Sequence, residues 1–367
     1  MSTQGWLLFL ITIFVVFMGF AIKRSKIVFL IQLIWLILLV GGNTGSLDYD
    51  INALLYFGGI NGWDWDQLTL LGWLYAILTG SANDWNFGFI EYNFIMSALS
   101  IGLIGYVIKK NTYNYNVVMS LLYFYPVIEM VIQKRFLPGM AVMLYATQFL
   151  GKCDLKSSIK YLACLVIAVG LHSSLIFYIL FFFLSRFSDR HTKLLKKLII
   201  ILFLVELIGG QLVPMIAGEL FAADKIELYF STYAEKSSWL KFICWAVLHL
   251  YFVGLVCYIY RKSDKTELGF LTYKLNLYSL IIIPLYTIDP VFMRFYRIVL
   301  IYDYMYLSGY MTWKFSNNSS KNIIATIGLL LGTFIYFYVW YCAGIGNMTF
   351  EKMAQPVFEN NILADIL

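Results

Sequence analysis

Residues 5–26 read GWLLFLITIFVVFMGFAIKRSK: eighteen residues without a formal charge, then three cations in the next four. As a helix rising ~1.5 Å per residue, the apolar part spans about 27 Å, close to the ~30 Å hydrocarbon thickness of a bilayer. The run follows only Met1-Ser-Thr-Gln, with no basic leader or small-residue cleavage site, so it is expected to be a retained helix. The same punctuation recurs along the 367 residues, of which 61% are apolar and 13% charged. That charged fraction is about half the ~25% of soluble domains, which excludes a soluble enzyme, a disulfide-stapled secreted domain and a disordered chain. The composition defines an all-α polytopic membrane protein.

Cations between apolar runs mark the cytoplasmic side of such a protein. Lys23, Arg24 and Lys26 then lie inside, and Ile27–Val40 returns outward. The following segment, Gly41 to Gly88, carries Asp48, Asp50, Asp64, Asp66 and Asp84 but no Lys or Arg, which identifies it as external. Phe89–Ile108 comes back to Lys109-Lys110, Asn116–Ile132 goes out, and Phe136–Leu150 returns to Lys152, Lys156 and Lys160. Tyr161–Leu184 has the length of one span, yet both its ends are basic. A hairpin of two short helices, turning near Gly170-Leu-His172-Ser173-Ser174, resolves the conflict. Leu198–Pro214 leads to a second external loop, Met215–Ser238, and the crossings Trp239–Tyr260, Leu275–Ile288, Val291–Tyr310 and Ile323–Tyr341 complete the chain. The expected architecture is about twelve transmembrane helices, hairpin included, with two extended outer loops. No linker, repeat or low-complexity tract interrupts it, so residues 1–367 read as a single integral membrane domain.

On this topology the residues most costly to place near hydrocarbon gather at the outer rim, where intramembrane ionisable groups usually mark a site. They are Asp48, Arg135, His172 at the hairpin tip, Asp289, Arg294 and Arg297. Arg294 and Arg297, three apart, are expected on one helical face. Guanidinium groups grip phosphate oxygens bidentately, so Arg135, Arg294 and Arg297 are candidate diphosphate ligands. Asp48 is the candidate general base, with His172 as a second base or a donor to an anion. Tyr49 beside Asp48, and Tyr229 and Tyr233 in the second loop, offer rings and hydroxyls suited to a glycan. Each has a blander reading: a snorkelling Arg135, a packed His172, or an Asp48 that only caps a turn. The five cysteines are scattered without a CxxC spacing, and no GxxxxGK[ST], HExxH or GxSxG pattern competes, so no metal and no cofactor is expected.

At these residues the chain resembles the EpsG/Wzy-type polysaccharide polymerases of bacterial envelopes. The family's Gly-Ser/Thr-Asp-Tyr element is matched by Gly45-Ser46-Leu47-Asp48-Tyr49, with one extra Leu. Its Glu-bearing helix start is matched by Glu91-Tyr92-Asn93, and its Arg-led start by Gln133-Lys134-Arg135-Phe136-Leu137, without the Gln that often follows the Arg. Its His-x-Ser segment is matched by His172-Ser173-Ser174, and its Arg-rich helix by Arg294-Phe295-Tyr296-Arg297. The resemblance implies a metal-independent glycosyltransferase in a bacterial inner (cytoplasmic) membrane, acting on the periplasmic face, with the two extended loops periplasmic. It would polymerise O-antigen or capsule repeats from undecaprenyl-diphosphate-linked glycan donor and acceptor. A chain-length regulator protein is a further partner of this class, and nucleic acid is not one. A ligase moving finished glycan to another lipid would use the same chemistry. A transporter or flippase of lipid-linked oligosaccharide is the alternative from another class, against which stand the absence of an internal repeat and the one-sided crowding of polar residues. A membrane acyltransferase is weaker, because His172 has no acid near it in sequence.

Overall fold

The computed structural model describes residues 1–58, 72–152, 154–186, 192–208, 239–288, 290–313, 319–343 and 349–366. Its helices begin with α1 (Thr3–Ala21), α2 (Lys26–Gly41), α3 (Tyr49–Gly58), α4 (Trp73–Asp84), α5 (Phe89–Asn111) and α6 (Tyr115–Phe124). Next come α7 (Val127–Ile132), α8 (Phe136–Thr147), α9 (Leu155–Leu171), α10 (Ile179–Ser185), α11 (Thr192–Ile208) and α12 (Trp239–Lys262). The series closes with α13 (Glu267–Ser279), α14 (Tyr296–Ser308), α15 (Ser320–Tyr341), α16 (Phe350–Met353), α17 (Gln355–Glu359) and α18 (Ile362–Ile366). Among the described residues no strand forms, only an isolated bridge between Asn43 and Asn361.

Helix starts follow side-chain capping of the amide groups that a first turn leaves unpaired. Ser2, Ser25, Asp154 and Thr266 each accept from the amide three residues on. Five stretches among the described residues are long and apolar enough to cross a membrane: Thr3–Ala21, Phe89–Asn111, Leu240–Lys262, Glu267–Thr287 and Ser320–Tyr341. Shorter apolar helices cover Lys26–Gly41, Tyr115–Phe124, Phe136–Gly151 and Ser173–Ser185. Several expected crossings are therefore divided. Asn116–Ile132 is broken between α6 and α7 at Pro126, which lacks the N–H that a continuous helix needs. Leu275–Ile288 changes from α13 to a 3₁₀ helix, Leu280–Thr287, which holds Pro284.

The chain divides into two compact units, residues 1–178 with 304–367, and residues 179–303. In the first, polar groups point inward and large apolar side chains outward. Gln32 is fully buried and donates to Ser120 Oγ at 2.9 Å and to the Asn116 carbonyl at 3.2 Å. Phe14, Phe17, Leu30, Leu99 and Phe334 stand exposed on α1, α2, α5 and α15. That inversion suits lipid as solvent, where apolar surface carries no hydration cost and backbone and side-chain polar groups must pair internally. Close helix approach depends on Gly19: a Cβ there would lie 2.1 Å from Gln32 Nε2 and 2.7 Å from the Asn116 carbonyl. Small residues at such seams let membrane helices approach.

The chain turns back at His172, where the hairpin was expected. Tyr161 donates its hydroxyl to the Tyr178 carbonyl at 2.7 Å across seventeen residues, a contact that a straight helix about 25 Å long could not make. The turn is His172 itself, extended at the end of α9, followed by the 3₁₀ helix Ser173–Tyr178. The segment 41–88, read from sequence as an external loop, contains α3 and α4.

The second unit is built on a buried polar core. His249 on α12 meets Ser279 Oγ and Tyr286 OH, both at 2.8 Å, and lies 3.7 Å from the Tyr296 ring. Asp303, fully buried, accepts from Asn276 Nδ2 at 2.5 Å and Tyr296 OH at 2.9 Å.

Candidate active site

The Gly45–Tyr49 element follows the end of α2 and is held from two sides. From one side, the chain's last segment pairs with it. Thr44 N donates to the Asn360 carbonyl at 2.8 Å, Ile362 N to the Gly42 carbonyl at 2.9 Å, and Asn360 Nδ2 to the Gly45 carbonyl at 2.7 Å. A Cβ at Gly45 would lie 2.6 Å from Asn360 Nδ2, so a larger residue would displace that side chain. From the other side, the end of α7 offers carbonyls that its helix leaves unpaired. Ser46 Oγ and Asn52 Nδ2 donate to the Val131 and Ile132 carbonyls, both at 3.4 Å.

Those staples set Asp48 beside the break between α7 and α8. Asp48 is half-buried, and Asn52 bonds its backbone carbonyl at 2.7 Å and 3.0 Å while the carboxyl accepts no hydrogen bond from the described residues. Turn capping therefore does not occupy the carboxyl. Burial first, and the charge of Glu129 second, push its pKa above the ordinary carboxylate range. Glu129, buried on α7, takes hydrogen bonds from Gln133 Nε2 at 2.9 Å and from Trp340 Nε1. An acid tuned upward this way is better matched to removing a hydroxyl proton near neutral pH.

Lys134 is a residue whose importance the sequence reading missed. It is only 7% exposed, and its ammonium donates to the Asn43 carbonyl at 3.2 Å and the Val40 carbonyl at 3.5 Å, 5.6 Å from the Tyr49 ring. Burial pulls its pKa down to about 7. Its place inside Gln133-Lys134-Arg135 was the available signal, but next to an arginine it reads as a second interfacial cation.

Arg135 follows directly and turns onto the face of Tyr75 on α4, 4.6 Å from guanidinium carbon to ring centroid. Tyr75 is pushed up to about 12 by burial, against the pull of Arg135, so its phenol keeps its proton. Arg135 is thus drawn into an aromatic cluster with Tyr56, Tyr75, Phe89 and Tyr92, not extended along a lipid face. Its neighbour Phe136 meets the His172 ring edge-on at 5.3 Å. His172 Nδ1 accepts from Ser174 N at 3.4 Å and lies 2.9 Å from Ser174 Oγ. With Nδ1 accepting, the neutral ring carries its proton on Nε2, a donor arrangement better suited to an anion than to proton abstraction. Gly72, at the start of α4, donates to the Val169 carbonyl near the end of α9 at 3.2 Å, tying α4 to the hairpin. The first unit thus brings Asp48, Tyr49, Arg135 and His172 onto elements linked by direct contacts. Tyr49 is half-buried with its ring edge-on to Phe89 at 5.2 Å.

Arg294 and Arg297 belong to the second unit, both buried, Arg297 to 2% exposure. The single α-helix expected to carry both is divided: Arg294 lies in the 3₁₀ helix Pro290–Phe295 and Arg297 in α14. Proline at the start, which cannot donate to a ladder, accompanies the tighter turn. Tyr229, Tyr233 and Asp289 lie outside the described residues. His249 and Asp303 also escaped the sequence reading, although an ionisable side chain inside an apolar run was the signal that should have raised them.

Inward polar side chains, outward apolar ones and five helical stretches long and apolar enough to cross a bilayer define a polytopic α-helical membrane protein. The EpsG family model matches residues 26–351, nearly the whole chain, and the protein belongs to the EpsG family. No curated protein and no solved structure matches it.

Proposed function

We propose that this EpsG-family protein is a polysaccharide polymerase. It would join undecaprenyl-diphosphate-linked repeat units on the periplasmic face of a bacterial inner membrane, its residues 1–367 working as one polymerase domain of about twelve crossings. The observation that carries the reading is the junction of Gly45–Asn52 with the α7–α8 break. There an acid raised by burial, whose carboxyl accepts no hydrogen bond from the described residues, sits on a segment stapled to the residues just before Arg135. Family membership supports the same assignment.

In the proposed reaction, Asp48 takes the proton from the acceptor sugar's hydroxyl. The resulting oxygen attacks the anomeric carbon of the donor, and the bond from that carbon to the diphosphate oxygen breaks with its electron pair leaving on the diphosphate. Arg135 neutralises the leaving group where negative charge grows, the point at which fixed cations help most. His172 donates from Nε2 to the same anion, and Tyr49, Tyr229 and Tyr233 bind the glycan. Arg294 and Arg297 are proposed diphosphate ligands in their own unit.

The test is a chain-length ladder from cells carrying Asp48→Asn, Arg135→Ala, Arg294→Ala or Arg297→Ala, with protein levels matched. Loss of a fixed donor to a developing anion costs about 10²–10³ in rate, so ladders should collapse to single repeats. Wild-type ladders in all four would overturn the assignment.

A further inference from the structure

The aromatic cluster beside Arg135 holds two hydrogen-bond donors that have no partner among the described residues. Tyr92, 8% exposed near the start of α5, stands edge-on to Tyr75 with ring centroids 6.3 Å apart and 5.0 Å from the Tyr56 ring. The Tyr56 hydroxyl has a partner, the Phe87 carbonyl at 2.6 Å. The Tyr92 hydroxyl, buried, has none among the described residues. Arg135 Nε is likewise buried and without a hydrogen-bond partner among them, and the guanidinium is held on the Tyr75 face. Native proteins keep few unpaired buried polar atoms, and those they keep call for an explanation.

Here the two orphans are neighbours through Tyr75, and Arg135 acts electrostatically on both phenols. A guanidinium N–H can only donate, and the Tyr92 hydroxyl still has its proton to give. The missing complement is an oxygen carrying negative charge, which accepts from a guanidinium and a phenol at once.

We propose that Arg135 and Tyr92 form one aromatic-walled oxyanion site, with Tyr75 as the residue that positions the guanidinium. The inference rests on the polymerase reading and extends it by adding the phenol of Tyr92 as a ligand. The oxyanion has two sources in such a reaction, a phosphate of the prenyl carrier or the carboxylate of an acidic sugar. The chemistry of the site is the same for both.

The test uses full-length protein in lipid nanodiscs, wild type and Tyr92→Phe, which keeps the ring and deletes only the hydroxyl. Binding of farnesyl diphosphate and of glucuronic acid is titrated, with farnesol as the uncharged control, and the thermal midpoint is read without ligand. Deleting a hydroxyl that has no partner should leave the ligand-free midpoint equal to or above wild type, whereas deleting a structural hydrogen bond would lower it. Binding of one anion should weaken about tenfold, with farnesol unaffected. Weakened farnesyl diphosphate binding assigns the site to the carrier, and weakened glucuronate binding assigns it to an acidic sugar. A lowered midpoint, or unchanged binding of both anions, overturns the proposal. Arg135→Gln should weaken the same anion as Tyr92→Phe, and a different anion in the two variants also overturns it. Should the site fail while wild-type protein still lengthens chains, the polymerase reading stands. Should wild-type protein lengthen nothing, that reading fails whatever binds.

Discussion

At the residue scale, the carboxyl of Asp48 is set apart from an ordinary exposed aspartate by burial and by the negative charge of Glu129. Both act against ionisation, so the base is active only above a pH higher than the usual carboxylate range near ~4. Glu129→Gln removes the second cause and leaves the first. The acid limb of the polymerisation rate should therefore move to lower pH in Glu129→Gln, without reaching that of a solvated carboxylate. Rate profiles between about pH 4 and 8 check this, and an unmoved or upward-shifted limb would contradict the coupling. Asp48 and Arg135 were legible in the sequence because an acid in a cation-free segment and an arginine between apolar runs are conspicuous. Glu129 was not, because its significance comes from Trp340, more than two hundred residues away.

At the scale of elements, Lys134 joins the end of α2 to the α7–α8 break through the Val40 and Asn43 carbonyls. Its pKa falls from its ordinary 10.5 to about 7 in the fold. Between those values the unfolded chain binds a proton that the folded chain does not, so stability rises with pH there, by at most about 1.4 kcal/mol per unit. Below about pH 7 both states carry the proton and the dependence vanishes. Thermal midpoints compared at pH 7 and 9.5 should rise for wild type relative to Lys134→Met, which lacks the titrating group. Parallel changes in the two proteins would contradict burial as the cause. The turn at His172 was readable from charge, since an apolar run with two basic ends is expected to double back. The helical change between Arg294 and Arg297 was not, because a three-residue spacing looks the same in an α-helix and across a 3₁₀ junction. Nor was the clamp of residues 356–362 on Gly42–Gly45, which joins segments far apart in sequence through side-chain amides and backbone groups.

At the scale of the whole molecule, membrane residence follows from composition, and the exposed apolar flanks of α1, α2, α5 and α15 agree with it. The count of crossings is harder to read, since a stretch broken at Pro126 has the composition of a span without its continuity. The direct measurement of function places wild-type protein in proteoliposomes with a fluorescent undecaprenyl-diphosphate-linked repeat unit and resolves the lipid products by chain length. Products of two and more repeats, made by wild type and not by Asp48→Asn, are expected. A repeat that changes leaflet but never lengthens would contradict the account.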